Sequence, residues 1–275
     1  MFSNFIYQEG LLNSFKIAVV TTFFVFLIAL PMAFVYDSYD FPGRNLSHLA
    51  AMIPMILPPF VGALGFQQIL GYYGVLNTIL VNCGFSRVDF LTGNGRFWSI
   101  CLIEALHLYP ILYLNLVSSL GNMDPALQDA ARNMGAGWFR RFFRITLPLL
   151  KPGILAGGSI VLIWSFTELG TPLMFGYNRV TSVQILNGLT ELETNPEPYA
   201  LVTVMLVISA LMYLLAKMVL RSDVTTVSKG SAGSSAVRLH GLRSFLPTLF
   251  FLVITLVAAL PFGGEGVWVR LWRCC

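Results

Sequence analysis

"DAARNMGAGWFRRFFRITLPLL", residues 129–150, puts Arg132, Arg140, Arg141 and Arg144 into a chain that elsewhere goes long distances without any charge. No Asp, Glu, Lys or Arg falls between Lys16 and Asp37, between Arg44 and Arg87, or between Arg243 and Glu265. Across the 275 residues only 11% are charged and 56% are hydrophobic, with a mean hydropathy of +0.73. A soluble domain carries roughly 25% charged residues. A helix crossing a bilayer needs about 20 mainly apolar residues, and each uncharged run supplies them. The chain therefore reads as an all-α, polytopic transmembrane helical bundle with the lipid bilayer as its solvent. The basic stretch is a surface segment between two spans.

Working outward, six apolar runs stand out, at about 14–36, 47–70, 97–120, 152–175, 199–220 and 244–262. The first is too long for a removed signal peptide and lacks a small-residue cleavage pattern. Short loops on one side collect Arg44, Arg132, Arg140, Arg141, Arg144, Lys151, Lys217, Arg221, Lys229, Arg238 and Arg243, eleven cations. The opposite side collects five, Arg87, Arg96, Arg179, Arg270 and Arg273. The positive-inside rule then places residues 129–150 in the cytoplasm and the N-terminus outside. The net charge of +4 has no nucleic-acid footprint. The four cysteines make no CxxC pair, so neither a zinc site nor a disulfide framework is indicated.

Local chemistry defines the basic segment. Asp124 followed by Pro125 is a helix start, with Asp as the cap and Pro in the first turn. Leu127, Ala130, Ala131 and Met134 share one face, Gln128, Asp129, Arg132 and Asn133 the other. Gly135 is expected to end this helix in the left-handed conformation. A second short helix sets Phe139, Phe142 and Phe143 against Arg140, Arg141 and Arg144, and Pro148 is expected to close it before the next span. The pair reads as a hairpin at the membrane surface. On these grounds alone, it either holds anionic headgroups or meets a protein partner.

The hairpin sequence resembles the EAA loop of ATP-binding cassette importer permeases: Glu-Ala-Ala, three residues, Gly, then an apolar-Pro ending. Asp129 stands in place of Glu, and Ala130, Ala131, Gly135 and the later Thr146–Pro148 match in spacing. "FTELGTPLMFG" and "NPEPYALVTVMLVISALMYLL" resemble the membrane subunits of ferric iron importers, often two permease units fused in one chain. The resemblance, over about Ser14 to Arg221, implies a MetI-like inner-membrane permease fold, multi-pass, in a bacterial cell. It implies that Asp129, Ala130, Ala131, Arg132, Met134 and Gly135 couple to a cytoplasmic ATPase dimer. A second permease unit and a periplasmic substrate-binding protein are the other implied partners. Related permeases carry phosphonate, sulfate, thiamine or polyamines. A P-loop needs Gly-Lys-Ser/Thr, and none of Lys16, Lys151, Lys217 or Lys229 follows a glycine. The chain itself is thus expected to have no catalytic residue, cofactor or metal, with ATP and magnesium on the ATPase partner.

Pathway candidates come from backbone breakers and charges inside the spans. "IPMILPPFVGALGF" holds Pro54, Pro58 and Pro59, and a helix broken there either lines a pathway or packs as a kinked member of the bundle. Glu168, in "SFTELGTP", is the preferred intramembrane carboxylate, with Gly170 beside it. It either touches the pathway or gate, or is hydrogen-bonded inside the bundle with no transport role. Glu104 and His107, three apart, look like half of a di-metal site without its second half, so structural pairing is the favoured reading. An alternative function from another class is a proton-coupled secondary carrier using Glu168 or Glu104.

The expected organisation is a permease unit at 1–221 with its coupling loop at 121–151, a polar Ser/Gly-rich cytoplasmic linker at 222–243, and at 244–275 the opening helix of a second unit. Hydrophobic periodicity stops after Phe262, in "GGEGVWVRLWRCC". The expectation is a shortened reading of a longer protein, with a frame change near Gly264. The alternative is pairing with a second copy or separate half.

Overall fold

In the computed structural model, residues 5–56, 58–189, 197–221, 237–238 and 244–262 are described. The expected linker therefore lies outside the described residues except for Val237 and Arg238, and so does the tail after Phe262.

Helix α1 (Phe5–Ser38) has 34 residues, about 51 Å at 1.5 Å each. It is apolar all round, so polarity cannot decide which face turns inward. Size decides instead. The buried stripe runs through Gly10, Ser14, Ile17, Ala18, Thr21, Val25, Ala29, Met32 and Ala33, mostly small or hydroxyl-bearing, while Phe23 and Leu27 stay exposed. Small and hydroxyl-bearing residues let helices approach closely where lipid provides no hydrophobic drive.

The second apolar run is not one helix. After α1 a turn leads into α2 (Arg44–Ala50) and α3 (Ile53–Ile56), and the chain restarts as α4 (Pro59–Leu70). Arg44–Ile56 and Pro59–Asn82 meet at 91°. The cause is the Pro58-Pro59 pair. A residue before proline is pushed out of the helical region, and Pro58 is extended, with φ −61° and ψ 141°. Pro59 then starts α4, where its missing N–H costs nothing. A surface helix, α5 (Val75–Asn82), follows and ends before Gly84, whose φ is +85°.

At the centre stands α6 (Asn94–Gly121), whose segment from Leu106 to Leu112 is buried throughout. It leads through α7 (Pro125–Asn133) and α8 (Trp138–Arg141) to α9 (Leu147–Thr167). Gly153 and Gly157 of α9 lie directly on α6, where a Cβ on Gly157 would sit 3.0 Å from Leu112 Cα. Bulkier residues there would force the two helices apart. Helices α1, α6 and α9 pack mutually and form the core. The periphery comprises α10 (Gly170–Met174), α11 (Thr181–Leu189) and the largely exposed α12 (Glu197–Arg221).

Among the described residues, four helices are long and apolar enough to cross a membrane, or five if the bent pair counts as one. The sixth apolar run forms α13 (Phe245–Ala259), 15 residues continued by a 3-10 turn at Leu260–Phe262. It packs on α2 and α3, and the turn presses Pro261 O against Gly65 of α4. The sequence did not anticipate the short parallel pairing of Tyr39–Asp40 with Val237–Arg238.

Candidate functional site

The hairpin between α6 and α9 begins as its sequence demands. Asp124 Oδ1 accepts from Ala126 N at 2.9 Å, and Pro125 takes the first turn. At the other end Gly135 has φ +76°, a region open to glycine at little cost. Ala136 N donates to Ala131 O and Gly135 N to Arg132 O, each at 3.0 Å. These two bonds make a Schellman closure, so Gly135 is required at that spacing after Ala131 by backbone geometry. Ala131 is 2% exposed. Asp129, Ala130, Arg132 and Gly135 are exposed, and Met134 is 80% exposed. The apolar face drawn from Leu127, Ala130 and Met134 thus faces outward.

The second arm differs from its expectation. Pro148 does not close a helix. Residues Phe142–Thr146 form a π-helical segment that carries α8 into α9, and the stretch from Phe139 to Met174 is long and apolar enough to count as a single span. Proline has no N–H to give, but the wider π turn and the first-turn position of Pro148 accommodate the loss. The phenylalanine stripe is also divided. Phe142 packs on Phe34 of α1, ring centroids 4.9 Å apart, whereas Phe139 and Phe143 are exposed. The hairpin is therefore rooted in α1 through one ring.

A second cluster lies at the far end of α9. Glu168 ends that helix, and its Oε1 accepts from Gly170 N at 3.0 Å while Oε2 accepts from Trp164 Nε1 at 3.2 Å. Ser182 Oγ donates to the Glu168 carbonyl at 2.7 Å. Both carboxylate oxygens hold the break between α9 and α10. Gly170 lies against Phe60, next to Pro59 of α4, and Gln67 of α4 donates to Met174 O of α10. The structure thus brings the Pro58–Pro59 break and the Glu168–Gly170 break together, although more than 100 residues separate them in sequence.

Glu104 and His107 do not form a pair. Glu104 is 2% exposed, and its Oε2 accepts from Ser165 Oγ of α9 and from Thr21 Oγ1 of α1 at 3.3 Å. His107 Nδ1 lies 2.9 Å from Pro54 O, which ties α6 to the broken helix. Sequence reasoning missed Thr21 and Ser165, whose only signal is a hydroxyl inside an apolar run. Among the described residues no group of three or more His, Cys, Asp and Glu side chains could hold a metal ion.

Residues 10–222 match the family model described as binding-protein-dependent transport system inner membrane component. A spermidine/putrescine transport system permease protein of Haemophilus influenzae is 32% identical over 160 residues, 58% of this chain and 56% of that protein. A molybdenum transport system permease protein of Mycobacterium tuberculosis is 28% identical over 212 residues, 76% of this chain and 77% of the relative. A ferric transport system permease protein of Actinobacillus pleuropneumoniae is 28% identical over 170 residues, 62% of this chain but 24% of the relative. The chain thus spans about half of the polyamine relative and a quarter of the ferric one. Among solved structures, a bacterial ABC transporter that imports the acidic polysaccharide alginate shares the fold. The TM-score is 0.66, with 18% identity and 82% of each chain covered.

Proposed function

From the premise that this chain belongs to the family of binding-protein-dependent transport system inner membrane components, we propose that it forms one half of a substrate pathway and is driven through its α7–α8 hairpin. The observation that carries this reading is the uncovered Leu127–Ala130–Met134 face, set by the Gly135 turn between two membrane spans. Asp129, Ala130, Arg132, Met134 and Gly135 would meet a cytoplasmic ATPase dimer, which binds ATP and magnesium, while Ala131, buried in the hairpin, would support that face from behind. Small residues at a docking face let two backbones come close. The Phe34–Phe142 contact would pass the motion on to α1, and the continuous helix would pass it to α9.

The pathway would run past the paired breaks at Pro58–Pro59 and Glu168–Gly170, between this unit and a second one. Helix ends and non-helical backbone persist at membrane depth only where protein or water satisfies them. Here Glu168 satisfies Gly170 N directly. A periplasmic binding protein would deliver the substrate. A solved relative of the same fold, described as a bacterial alginate ABC transporter in complex with a pentasaccharide-bound periplasmic protein, supports that arrangement.

For the substrate we favour ferric iron, on the resemblance of residues 166–176 and 195–215 to ferric importers and on the ferric relative. Polyamine is the second reading, favoured by the 32% identity to the spermidine/putrescine permease. Uptake of radiolabelled ferric iron, spermidine and molybdate into membrane vesicles, with ATP and the cognate binding proteins, separates them. ATP-dependent uptake that survives an uncoupler is the expected result. Uptake that needs no ATPase and collapses with the uncoupler would replace this reading by a proton-coupled carrier using Glu168 or Glu104.

A further inference from the structure

Helix α10 (Gly170–Met174) has five residues, too few for its own backbone bonds to fix it in place. Side chains from three other helices do so. At its start Glu168, the residue that ends α9, accepts from Gly170 N through Oε1. Near its end Gln67 of α4 donates to Met174 O. Both of these bonds are partly buried. Beyond Met174 the chain closes in a second Schellman turn. Gly176 has φ +60°, its N donates to Leu173 O at 3.0 Å, and Tyr177 N donates to Pro172 O at 2.9 Å.

The third grip is Arg96, in the first turn of α6. Its Nη1 donates to Gly176 O at 3.0 Å, across 80 residues of sequence, and its Nε donates to Leu91 O at 3.1 Å. The rigid guanidinium fork thus spans carbonyls of two separate segments, which an ammonium on a flexible stem does not reproduce. The Leu91 end is itself anchored. Leu91 N donates to Asp89 Oδ1 at 3.1 Å. Asn77, 0% exposed, holds both backbone groups of Val88 and also donates to Gly71 O. The nearby Arg179 pairs with Glu9 of α1 instead, at 3.2 Å.

We infer that Arg96 is a positioning residue for transport. By holding Gly176 it fixes the C-terminal end of α10, and through α10 the Glu168–Gly170 break that lies beside Pro58–Pro59. The inference rests on the reading of those two breaks as lining the pathway. The bond to Gly176 is exposed, so water can replace a lost partner at little cost in stability. Loss of Arg96 therefore loosens the seat of α10 without unfolding the bundle.

Hydrogen exchange on the full chain in mild detergent tests the tie. ATP-driven uptake by the complete transporter in proteoliposomes tests its role, with radiolabelled ferric iron, spermidine and molybdate as probes. In Arg96→Gln, exchange at Gly176 and Tyr177 is expected to rise roughly tenfold, the worth of one hydrogen bond from a charged donor. The unfolding temperature should stay at the wild-type value. Maximal uptake should fall several-fold at an unchanged half-saturating substrate concentration. Arg96→Lys should recover part of both effects. Arg87, whose guanidinium lies over Tyr72 and Tyr73, is the control: Arg87→Gln removes a cation from the same loop and should match wild type.

Unchanged exchange at Gly176 and Tyr177 in Arg96→Gln would overturn the tie. Faster exchange with intact uptake would overturn its role in transport. So would a fall in uptake matched by a fall in unfolding temperature, which would make Arg96 a structural residue only. Wild type that takes up none of the three probes with ATP would instead overturn the pathway reading beneath the inference.

Discussion

At the junction of α1, α6 and α9 a carboxylate is 2% exposed and gripped by hydroxyls from two other helices. On the α7–α8 hairpin a thioether is 80% exposed, on a face that the described chain leaves open. Both regions depend on small residues and on one or two well-placed polar groups. In the junction these hold helices of the same chain together, so substitution there is read as lost stability. On the hairpin they shape a surface for something else, so substitution there is read as lost coupling in a protein that still folds.

Gly135→Glu should break the hairpin's side of this comparison most severely. A Cβ at Gly135 meets nothing within 4 Å, so the chain should still insert in the membrane at normal levels. The cost of a positive φ is roughly 1–2 kcal/mol, and a carboxylate would be buried at any close docking contact. Abolished uptake and lost association with the ATPase are expected, measured by transport and co-purification. Gly135→Ala, which carries the φ cost alone, should do much less harm. Normal uptake in Gly135→Glu would return the hairpin to a lipid-surface role.

The junction's counterpart is Glu104→Ala. It leaves a cavity and strands the Ser165 and Thr21 hydroxyls, a loss of about 2–4 kcal/mol. Thermal unfolding in detergent checks it. Glu104→Gln keeps an acceptor at the same place, and interhelical hydrogen bonds in membranes average about 0.6 kcal/mol, so it should stay close to wild type. A Gln variant as unstable as the Ala variant would mean that the charge, rather than the acceptor, holds the junction.

Glu168 lies between the two behaviours. Its oxygens accept from Gly170 N and Trp164 Nε1, and Gln retains one acceptor where Ala retains none. Transport should therefore fall further in Glu168→Ala than in Glu168→Gln. Equal damage, with uptake lost to an uncoupler, would instead mark a proton site. The smallest effect belongs to Asp124→Ala, which removes the cap of α7 at a cost of about 1 kcal/mol. Faster hydrogen exchange at Ala126 and Leu127 is the readout, with Asn restoring protection.

The same contrast explains what could be read from residues alone. The hairpin was legible because its determinants are local: Asp124, Pro125 and Gly135 lie within a dozen residues, and cap geometry needs no distant partner. The junction was not, since Thr21 and Ser165 lie 83 and 61 residues from Glu104, and periodicity says nothing about which helices meet. Pro148 misled for a different reason. A proline usually stops a helix, but the turn before it had widened to absorb the missing donor. At Pro58–Pro59 the local rule understated the outcome, since two successive prolines turn the chain by a right angle instead of bending one helix. The approach of that break to Glu168 depends on tertiary packing.

The widened turn at Phe142–Thr146 also fixes an angle. An α-helix advances about 100° and 1.5 Å per residue, so the extra backbone accommodated there sets which way the hairpin points relative to the face that α9 offers to α6. Phe142 on Phe34 joins that turn to α1 by a ring contact. Taking one residue out of the segment would leave both helices intact and swing the Ala130–Met134 face by about a quarter turn. The phase between the spans and their driven surface is stored in five residues that belong fully to neither.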